Sequence, residues 1–294
     1  MARPKVSVLI TDLDNTLFDW VDIWGKSFTA LVDELVRTSG VDREVLLEEI
    51  GQVHQKHHTS EYAFVIEELP SLRAKHPDGD LAQIYDGAIH AHRHARKEAE
   101  ALYPGVAATL MALKEQGVLV VGYTESMAYY AGRRVRVLKL DGLLDYLYSP
   151  PDHDMPKNLT LEQVRKYPAG YYDLVSTKHH YTPKGELKPN PDILRKIIED
   201  VGAMPEQCVY VGDSLMKDMA MAKDAGVVGA HAAYGAAQHR DIYELLRKVT
   251  HWSPAEVERE KAINTAKSVT PDYVLKGSFS ELLDLFEFVR FGGA

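Results

Sequence analysis

The sequence is poor in cysteine, in positive charge and in long apolar runs. Its 294 residues hold one cysteine, Cys208, which excludes an internal disulfide framework and a cysteine-rich zinc site. Lysine and arginine total 34 against 43 aspartates and glutamates, a formal net charge of -9, which argues against nucleic acid or an anionic membrane as a partner. No apolar run approaches a membrane span, and the N-terminus lacks an apolar signal region, so a cytoplasmic protein is expected.

Short apolar runs recur along the chain, with helical segments between them. Such alternation is typical of βαβ units, which build a parallel sheet. The sequence therefore predicts an α/β fold whose core is a Rossmann-like parallel sheet. The predicted strands are Val6–Thr11, Val118–Tyr123, Val209–Gly212, Val227–His231 and Asp272–Leu275.

A long segment between the first two runs has no strand pattern. It is rich in Glu, Lys, Leu, Ala and His, and its apolar residues recur at helical spacing. We predict a helical domain over residues 18–102, inserted after the first strand into a discontinuous α/β core of residues 1–17 and 103–294. The predicted helices of the insert are Ser27–Thr38, Val41–Lys56 and Asp80–Glu100.

Two further stretches interrupt the core pattern. The mixture of turn residues and tyrosines over residues 149–184 predicts a structured loop. The pattern of residues 241–267 predicts a helical excursion before the last strand. Two interpretations of this excursion stay open, packing on the core or self-association into a homo-oligomer.

The first apolar strand ends in two carboxylates one residue apart, Asp12 and Asp14. Ligands of open α/β sheets bind just beyond the carboxyl ends of the strands. Two crowded carboxylates are costly unless a cation or a substrate uses them. The pair therefore predicts a site for chemistry, with a hard cation such as Mg²⁺ as the expected partner.

Four signals follow one another at predicted strand ends or loops. Their order resembles the motifs of the haloacid dehalogenase-like (HAD) hydrolase superfamily, and the resemblance covers roughly residues 5–17 and 103–235. The helical insert matches the position of that superfamily's C1-type cap. The signals are Asp12-Leu13-Asp14-Asn15-Thr16, Thr124, Lys188 in Leu187–Pro191, and the acidic loop Gly212–Asp218.

The two carboxylates of the first motif suit the two halves of a phosphoryl transfer. Asp12 is the candidate nucleophile, because a carboxylate oxygen attacking phosphorus forms an aspartyl phosphate and divides one hard displacement into two easier ones. Asp14 suits proton transfer to the departing oxygen and from the attacking water. The resemblance implies that an Asp at this position separates phosphatases from dehalogenases, and that its backbone carbonyl binds the metal.

The transferred phosphoryl group is negatively charged, so the reaction also needs residues and a cation that stabilise this charge. The hydroxyl of Thr124 and the ammonium of Lys188 are the expected stabilisers. For Thr124, pure capping of the next helix stays an alternative, and Lys178 or Lys184 could substitute for Lys188. Mg²⁺ is expected to be held by the aspartates of the first and last motifs. These are Asp12, Asp14, Asp213 and Asp218.

The sequence thus predicts a Mg²⁺-dependent phosphatase of a small phosphorylated metabolite, of the nucleotide monophosphate or sugar phosphate class. Two alternatives stay open. A phosphomutase resembling β-phosphoglucomutase would return the phosphoryl group to the substrate. A non-catalytic member would bind a phosphorylated ligand or a protein partner.

Histidines and one extra carboxylate have two interpretations each. Histidines at helix-face spacing can hold zinc, but a solvated polar face is favoured because no other ligand is fixed by the sequence. Glu125, directly after Thr124, is expected to turn away from the phosphate position or to face the leaving group. The spaced histidines are His54, His57 and His58, and His90 and His94.

Overall fold

The computed structural model describes residues 3–152, 160, 167–255, 257–258 and 269–292. Its packing divides the chain into two compact units. The core unit comprises Met1–Phe18, Ala101–Ala236 and Ile263–Ala294, and the helical unit comprises Asp19–Glu100 and Ala237–Ala262. Residues 237–262, which the sequence pattern assigns to the core, are therefore grouped with the helical unit.

The strands of the core unit confirm the predicted α/β fold. Seven of them form a parallel sheet in the order β5-β4-β3-β2-β6-β7-β8, and β1 pairs with β9 beside it. The described strands are β1 (Lys5–Val6), β2 (Val8–Thr11), β3 (Leu119–Tyr123), β4 (Tyr146–Ser149), β5 (Lys178–Tyr181), β6 (Cys208–Gly212), β7 (Val228–Ala232), β8 (Tyr273–Leu275) and β9 (Glu287–Phe288).

Helices lie between the strands and make up most of the regular structure in the helical unit. The described α-helices are α1 (Trp20–Ser39), α2 (Arg43–His57), α3 (Pro70–Lys75), α4 (Leu81–Ile84), α5 (Asp86–Ala99), α6 (Val106–Glu115), α7 (Ala128–Val137), α8 (Pro191–Asp200), α9 (Ala220–Ala225), α10 (Asp241–Val249) and α11 (Leu282–Leu285). A π-helical turn at Leu215–Met219 precedes α9.

Strand β2 lies in the middle of the sheet, hydrogen-bonded to β3 on one side and to β6 on the other. All four of its residues are buried, as expected for an apolar strand covered on both faces. Parallel strands end at the same edge of a sheet. The residues that follow β2, β3 and β6, namely Asp12, Thr124 and Asp213, therefore lie at one edge.

Strands β4, β5 and β9 have no counterpart among the predicted strands. Strand β5 is an edge strand within the predicted loop 149–184, and three of its four residues are exposed. A short polar edge strand lacks the apolar pattern by which buried strands are found. Residues 153–159 and 161–166 of that predicted loop lie outside the described residues.

Capping residues fix the ends of the helices. Helix α1 begins where the Asp19 carboxylate accepts the amide of Asp22, and it ends at Gly40 with φ +66°. Helix α8 has Pro191 at its first position, and the Asn190 side chain accepts the amide of Ile193. The start of α8 lies three residues after Lys188 and so anchors the loop that carries this lysine.

The helical unit packs α1 against α5, and α2 against α10. Trp24 and Phe28 are buried and stacked, with ring centroids 4.7 Å apart, so these aromatics belong to the core of the unit. Nδ1 of His54 donates to the carbonyl of Val249 over 2.7 Å. Helix α10, from the predicted excursion 241–267, therefore packs within the helical unit, and residues 259–268 lie outside the described part.

Cys208 lies on β6 and is buried. Burial raises the pKa of its thiol to about 12, which keeps the sulfur protonated at neutral pH. Among the described residues, no helix is both long and apolar enough to cross a membrane.

Candidate active site

Asp12 is held from both sides at the end of β2. Its amide donates to the carbonyl of Val211 over 2.8 Å, which extends the β2–β6 pairing by one residue. Its side chain accepts from Thr16 Oγ1 at Oδ2 (3.2 Å) and from Lys188 Nζ at Oδ1 (2.6 Å). Both carboxylate oxygens thus have fixed donors.

Lys188 is a buried cation whose three N–H groups all have acceptors. Its Nζ donates to Asp12 Oδ1 (2.6 Å), to the carbonyl of Tyr123 (3.0 Å) and to Asp218 Oδ1 (3.0 Å). Burial opposes its charge, but the two carboxylates hold the pKa of Lys188 well above its usual value. Lys178 and Lys184 are exposed, so the structure brings Lys188, and not Lys178, to Asp12.

Three carboxylates meet around this lysine. Ligand oxygens of Asp12, Asp213 and Asp218 lie within 4.8 Å of one another, and we refer to them as the three-carboxylate cluster. Asp218 is fixed by the Tyr210 hydroxyl (2.9 Å) and by the amide of Ser214 (3.1 Å). Such a set of hard oxygen donors fits a divalent cation such as Mg²⁺.

Crowding in the cluster makes its carboxylates hard to ionise. Burial raises the pKa of Asp12 to about 7, with Lys188 lowering it and Asp218 and Asp14 raising it further. Burial, followed by Asp218 and Asp12, raises the pKa of Asp213 well above its usual value. One lysine therefore does not neutralise three carboxylates, and a bound cation would stabilise their ionised forms.

Asp14 has a separate set of partners. Its Oδ2 accepts from Thr124 Oγ1 (2.9 Å) and from Ser126 Oγ (2.8 Å), and its Oδ1 lies 3.4 Å from Nη1 of Arg134. Its carboxylate does not belong to the three-carboxylate cluster. The side chain of Asp14 thus has partners different from those of Asp12.

Thr124 contacts Asp14 rather than the next helix. Helix α7 begins after Met127 and has no side-chain cap. The Thr124 hydroxyl accepts from the amide of Ser126 (3.0 Å) while it donates to Asp14. Pure capping of the following helix is therefore not the role that the structure gives Thr124.

Glu125 faces two lysines. Its carboxylate accepts from the backbone amide of Lys188 (2.7 Å) and from Nζ of Lys217 (2.5 Å). Burial opposes its ionisation, but Lys217 and Lys188 outweigh burial and lower the pKa of Glu125. Its carboxylate thus links the loop that carries Lys188 to the π-helical turn that carries Lys217.

The backbone of the loop 12–16 lies very close to the backbone of residues 234–235. Asn15 has a positive φ of 58°, and the Tyr234 hydroxyl donates to the carbonyl of Thr16 over 2.7 Å. A Cβ at Gly235 would lie 1.8 Å from the Asn15 carbonyl oxygen. Only glycine therefore allows this close approach.

A family model for the haloacid dehalogenase-like hydrolases matches residues 6–226. The chain belongs to this family. A second model, described as HAD-hydrolase-like, matches residues 187–276 of this HAD-like hydrolase. No curated protein matches it.

Solved structures share the fold of this HAD-like hydrolase at low identity. A HAD phosphatase from Thermococcus onnurineus is 18% identical with a TM-score of 0.54, over 97% of this chain and 100% of that one. A 2-haloacid dehalogenase from Pseudomonas syringae pv. tomato is also 18% identical with a TM-score of 0.54, over 95% and 97%. The HAD-hydrolase YfnB from Bacillus subtilis, bound to magnesium, is 13% identical with a TM-score of 0.50, over 96% and 99%.

Several residues around the HAD-like site are not among the predicted site residues. Tyr210 and Arg134 are buried against motif carboxylates, but their sequence contexts are an apolar strand and an ordinary amphipathic helix. Lys217 lies inside the last motif, where its charge next to a buried strand was the available signal. Ser126 and Tyr234 carry no signal beyond their residue type.

The spaced histidines form no metal site with other ligands in the part of the chain that the structure describes. His54 is buried, and burial lowers its pKa to about 4, so the favoured solvated face is wrong for this residue. His90 and His94 are exposed and lie beside Asp86 and Glu98 of their own helix, at 3.2 and 3.4 Å.

Proposed function

We propose that this HAD-like hydrolase is a Mg²⁺-dependent phosphatase of a small phosphorylated metabolite, of the nucleotide monophosphate or sugar phosphate class. The supporting observation is that one loop holds two carboxylates with different partners. Asp12 contacts Lys188 in the three-carboxylate cluster, and Asp14 contacts hydroxyls and Arg134 outside it. This division suits a nucleophile and an acid/base.

In the first step an Asp12 oxygen attacks phosphorus while the bond from phosphorus to the leaving oxygen breaks. Asp14 gives its proton to that oxygen, so an alcohol leaves and Asp14 becomes a carboxylate. The positive charge of the Lys188 ammonium acts on the phosphoryl group, and the hydroxyl of Thr124 donates to a phosphoryl oxygen, which lowers the charge that opposes attack by an anion.

In the second step water attacks the aspartyl phosphate. Asp14 takes a proton from that water, the bond between phosphorus and Asp12 breaks, and inorganic phosphate is released. Asp12 and Asp14 then have their starting charges again, so the cycle closes without another reactant.

The three-carboxylate cluster is proposed to hold the cation, with the Asp14 backbone carbonyl. Mg²⁺, when bound, would supply positive charge between these carboxylates and the phosphate dianion. A small molecule rather than a nucleic acid fits the net charge of -9 as the substrate.

Phosphate release from a panel of phosphomonoesters with Mg²⁺ tests this proposal. We expect turnover that EDTA and Asp12→Asn abolish, and that Asp14→Asn reduces by about 10²- to 10⁴-fold. Acid quenching with labelled substrate should trap label on wild type and none on Asp12→Asn. Asp192→Asn, in an exposed surface ion pair, is the matched control.

Two outcomes would contradict the proposal. An isomerised product without free phosphate would identify a phosphomutase. A folded, Mg²⁺-loaded protein that binds a phosphorylated ligand without turnover would identify a non-catalytic member.

A further inference from the structure

Arg134 is among the largest fully buried side chains of the described residues, with 1% exposure. It lies on α7, ten residues after Thr124. Its Nη1 donates to Ser126 Oγ (2.9 Å) and lies 3.4 Å from Asp14 Oδ1. Its guanidinium carbon lies 5.9 Å from the ring centroid of Phe18 and 5.7 Å from that of Tyr130.

A buried guanidinium needs acceptors for its N–H groups. Arginine stays protonated in proteins, so its charge is present in every protonation state of Asp14. The Asp14 carboxyl group is one group within reach of Arg134, with Oδ1 at 3.4 Å from Nη1. The two aromatic rings add cation-π attraction and hold the guanidinium in place.

Ser126 links the two charged groups. Its hydroxyl accepts from Arg134 and donates to Asp14 Oδ2 (2.8 Å). Arg134 thus acts on both oxygens of Asp14, directly on Oδ1 and through Ser126 on Oδ2.

The contact between Thr124 and Asp14 conflicts with the proposed role of Thr124. Its hydroxyl has one proton, which it donates to Asp14 Oδ2 over 2.9 Å. When the Thr124 hydroxyl instead donates its hydrogen bond to a phosphoryl oxygen, Asp14 loses one of its hydrogen-bond donors. Ser126 and Arg134 then remain to fix the carboxylate.

We propose that Arg134 is the residue that positions Asp14 for proton transfer to the leaving oxygen. The inference rests on the proposed function for the acid/base role of Asp14. Proton transfer requires a heavy-atom distance of about 2.6–3.2 Å, and a displacement of about 1 Å can cost on the order of 10²-fold in rate. An unanchored Asp14 would therefore lose its role even where the fold is intact.

Dependence on the leaving group tests this role. An alkyl phosphomonoester needs a proton on its leaving oxygen, whereas 4-nitrophenolate leaves without one. We expect Arg134→Lys to lower kcat/KM for the best alkyl substrate by about 10- to 100-fold, and for 4-nitrophenyl phosphate by no more than about threefold. Asp14→Asn should show the same selectivity. An equal loss for both esters would overturn the positioning role.

Arg136→Lys is the matched control. Arg136 is on the same helix and its guanidinium lies over Tyr171, at 4.5 Å from the ring centroid, so both esters should keep wild-type kcat/KM. Guanidinium added to Arg134→Ala should restore turnover of the alkyl ester selectively. Absence of rescue in a variant that is folded by circular dichroism would count against the proposal.

A double-mutant cycle separates this inference from the proposed function. If neither ester is hydrolysed by wild type, the phosphatase proposal fails. Chemical denaturation of Arg134→Lys, Asp14→Asn and the double variant still measures the contact. We expect the second substitution to cost less stability once the first is made. Additive losses would mean that Arg134 does not hold Asp14.

Discussion

Lys188 Nζ lies 2.6 Å from Asp12 Oδ1 across 176 positions of sequence, and the same nitrogen lies 3.0 Å from Asp218. One cation thus serves two carboxylates, and Asp213 brings a third within 4.8 Å of them, so ionisation of all three would leave a net negative charge. Metal-free protein therefore carries repulsion at the site, as expected where a site is arranged for function rather than for stability.

Asp12→Asn should stabilise the metal-free protein at pH 8. The pKa of Asp12 is raised in the folded state from 3.8 to about 7. The folded state thus binds more protons than the unfolded state over this range, and its stability falls as the pH rises through it. Removing the charge should raise Tm by about 2–6 °C.

Thermal unfolding in EDTA from pH 5 to pH 8 measures this effect, and Mg²⁺ should stabilise wild type more than the variant. Asp192→Asn, at an exposed position, keeps Asp12 and should show the same dependence on pH and metal as wild type. A lower Tm for Asp12→Asn at pH 8 in EDTA would mean that the pair with Lys188 outweighs the repulsion.

Gly235→Ala should reduce turnover in a folded protein. The new Cβ would lie 1.8 Å from the Asn15 carbonyl oxygen, so the backbone between Asp14 and Thr16 must move. We expect kcat/KM for phosphomonoesters to fall by about 10- to 100-fold. Gly132→Ala is the control, because its new Cβ has 3.9 Å to its nearest neighbour. Wild-type kinetics in Gly235→Ala would show that the loop tolerates displacement.

Glu125→Gln should lower stability more than activity. The substitution removes the carboxylate that accepts from Nζ of the half-buried Lys217 and weakens the contact with the Lys188 amide. We expect a loss of about 1–3 kcal/mol in the free energy of unfolding. A cycle with Lys217→Met should show coupling between the two positions. A loss of activity equal to that of Asp12→Asn would instead place Glu125 in the chemistry.

His54→Asn should make stability less sensitive to acid. Burial lowers the pKa of His54 from 6.5 to about 4 in the folded state. The unfolded chain therefore takes up a proton first, and stability is lost as the pH falls from 6.5 towards 4. At 1.36 kcal/mol per pH unit, this amounts to on the order of 3 kcal/mol.

Asparagine can still donate to the Val249 carbonyl but cannot take up the proton. Urea unfolding at pH 7 and pH 4.5 should show a smaller acid-induced loss in His54→Asn than in wild type. His90→Asn, at an exposed position, should behave as wild type does. Equal losses in all three proteins would contradict a buried neutral His54.

The meeting of the motif residues was predictable because a parallel sheet brings the carboxyl ends of its strands to one edge. Once β2, β3 and β6 are recognised as apolar runs, the residues after them must share one edge. The polar edge strand β5 was not predicted. Most of its residues are exposed, and exposed strands do not need the apolar residues by which buried strands are found. The grouping of residues 237–262 with the helical unit was not recognised either, since an amphipathic helix does not specify its partner.

Residue type and spacing were sufficient to predict the α/β core, the family and the positions of Asp12, Asp14, Thr124 and Lys188 at strand ends or in loops, since both are local properties of the chain. Packing of the folded chain fixed which groups meet. It turned Arg134 inward to Asp14 and Glu125 towards Lys217. The physical reason is that burial and pairing of charges depend on packing between distant segments, which no local pattern contains.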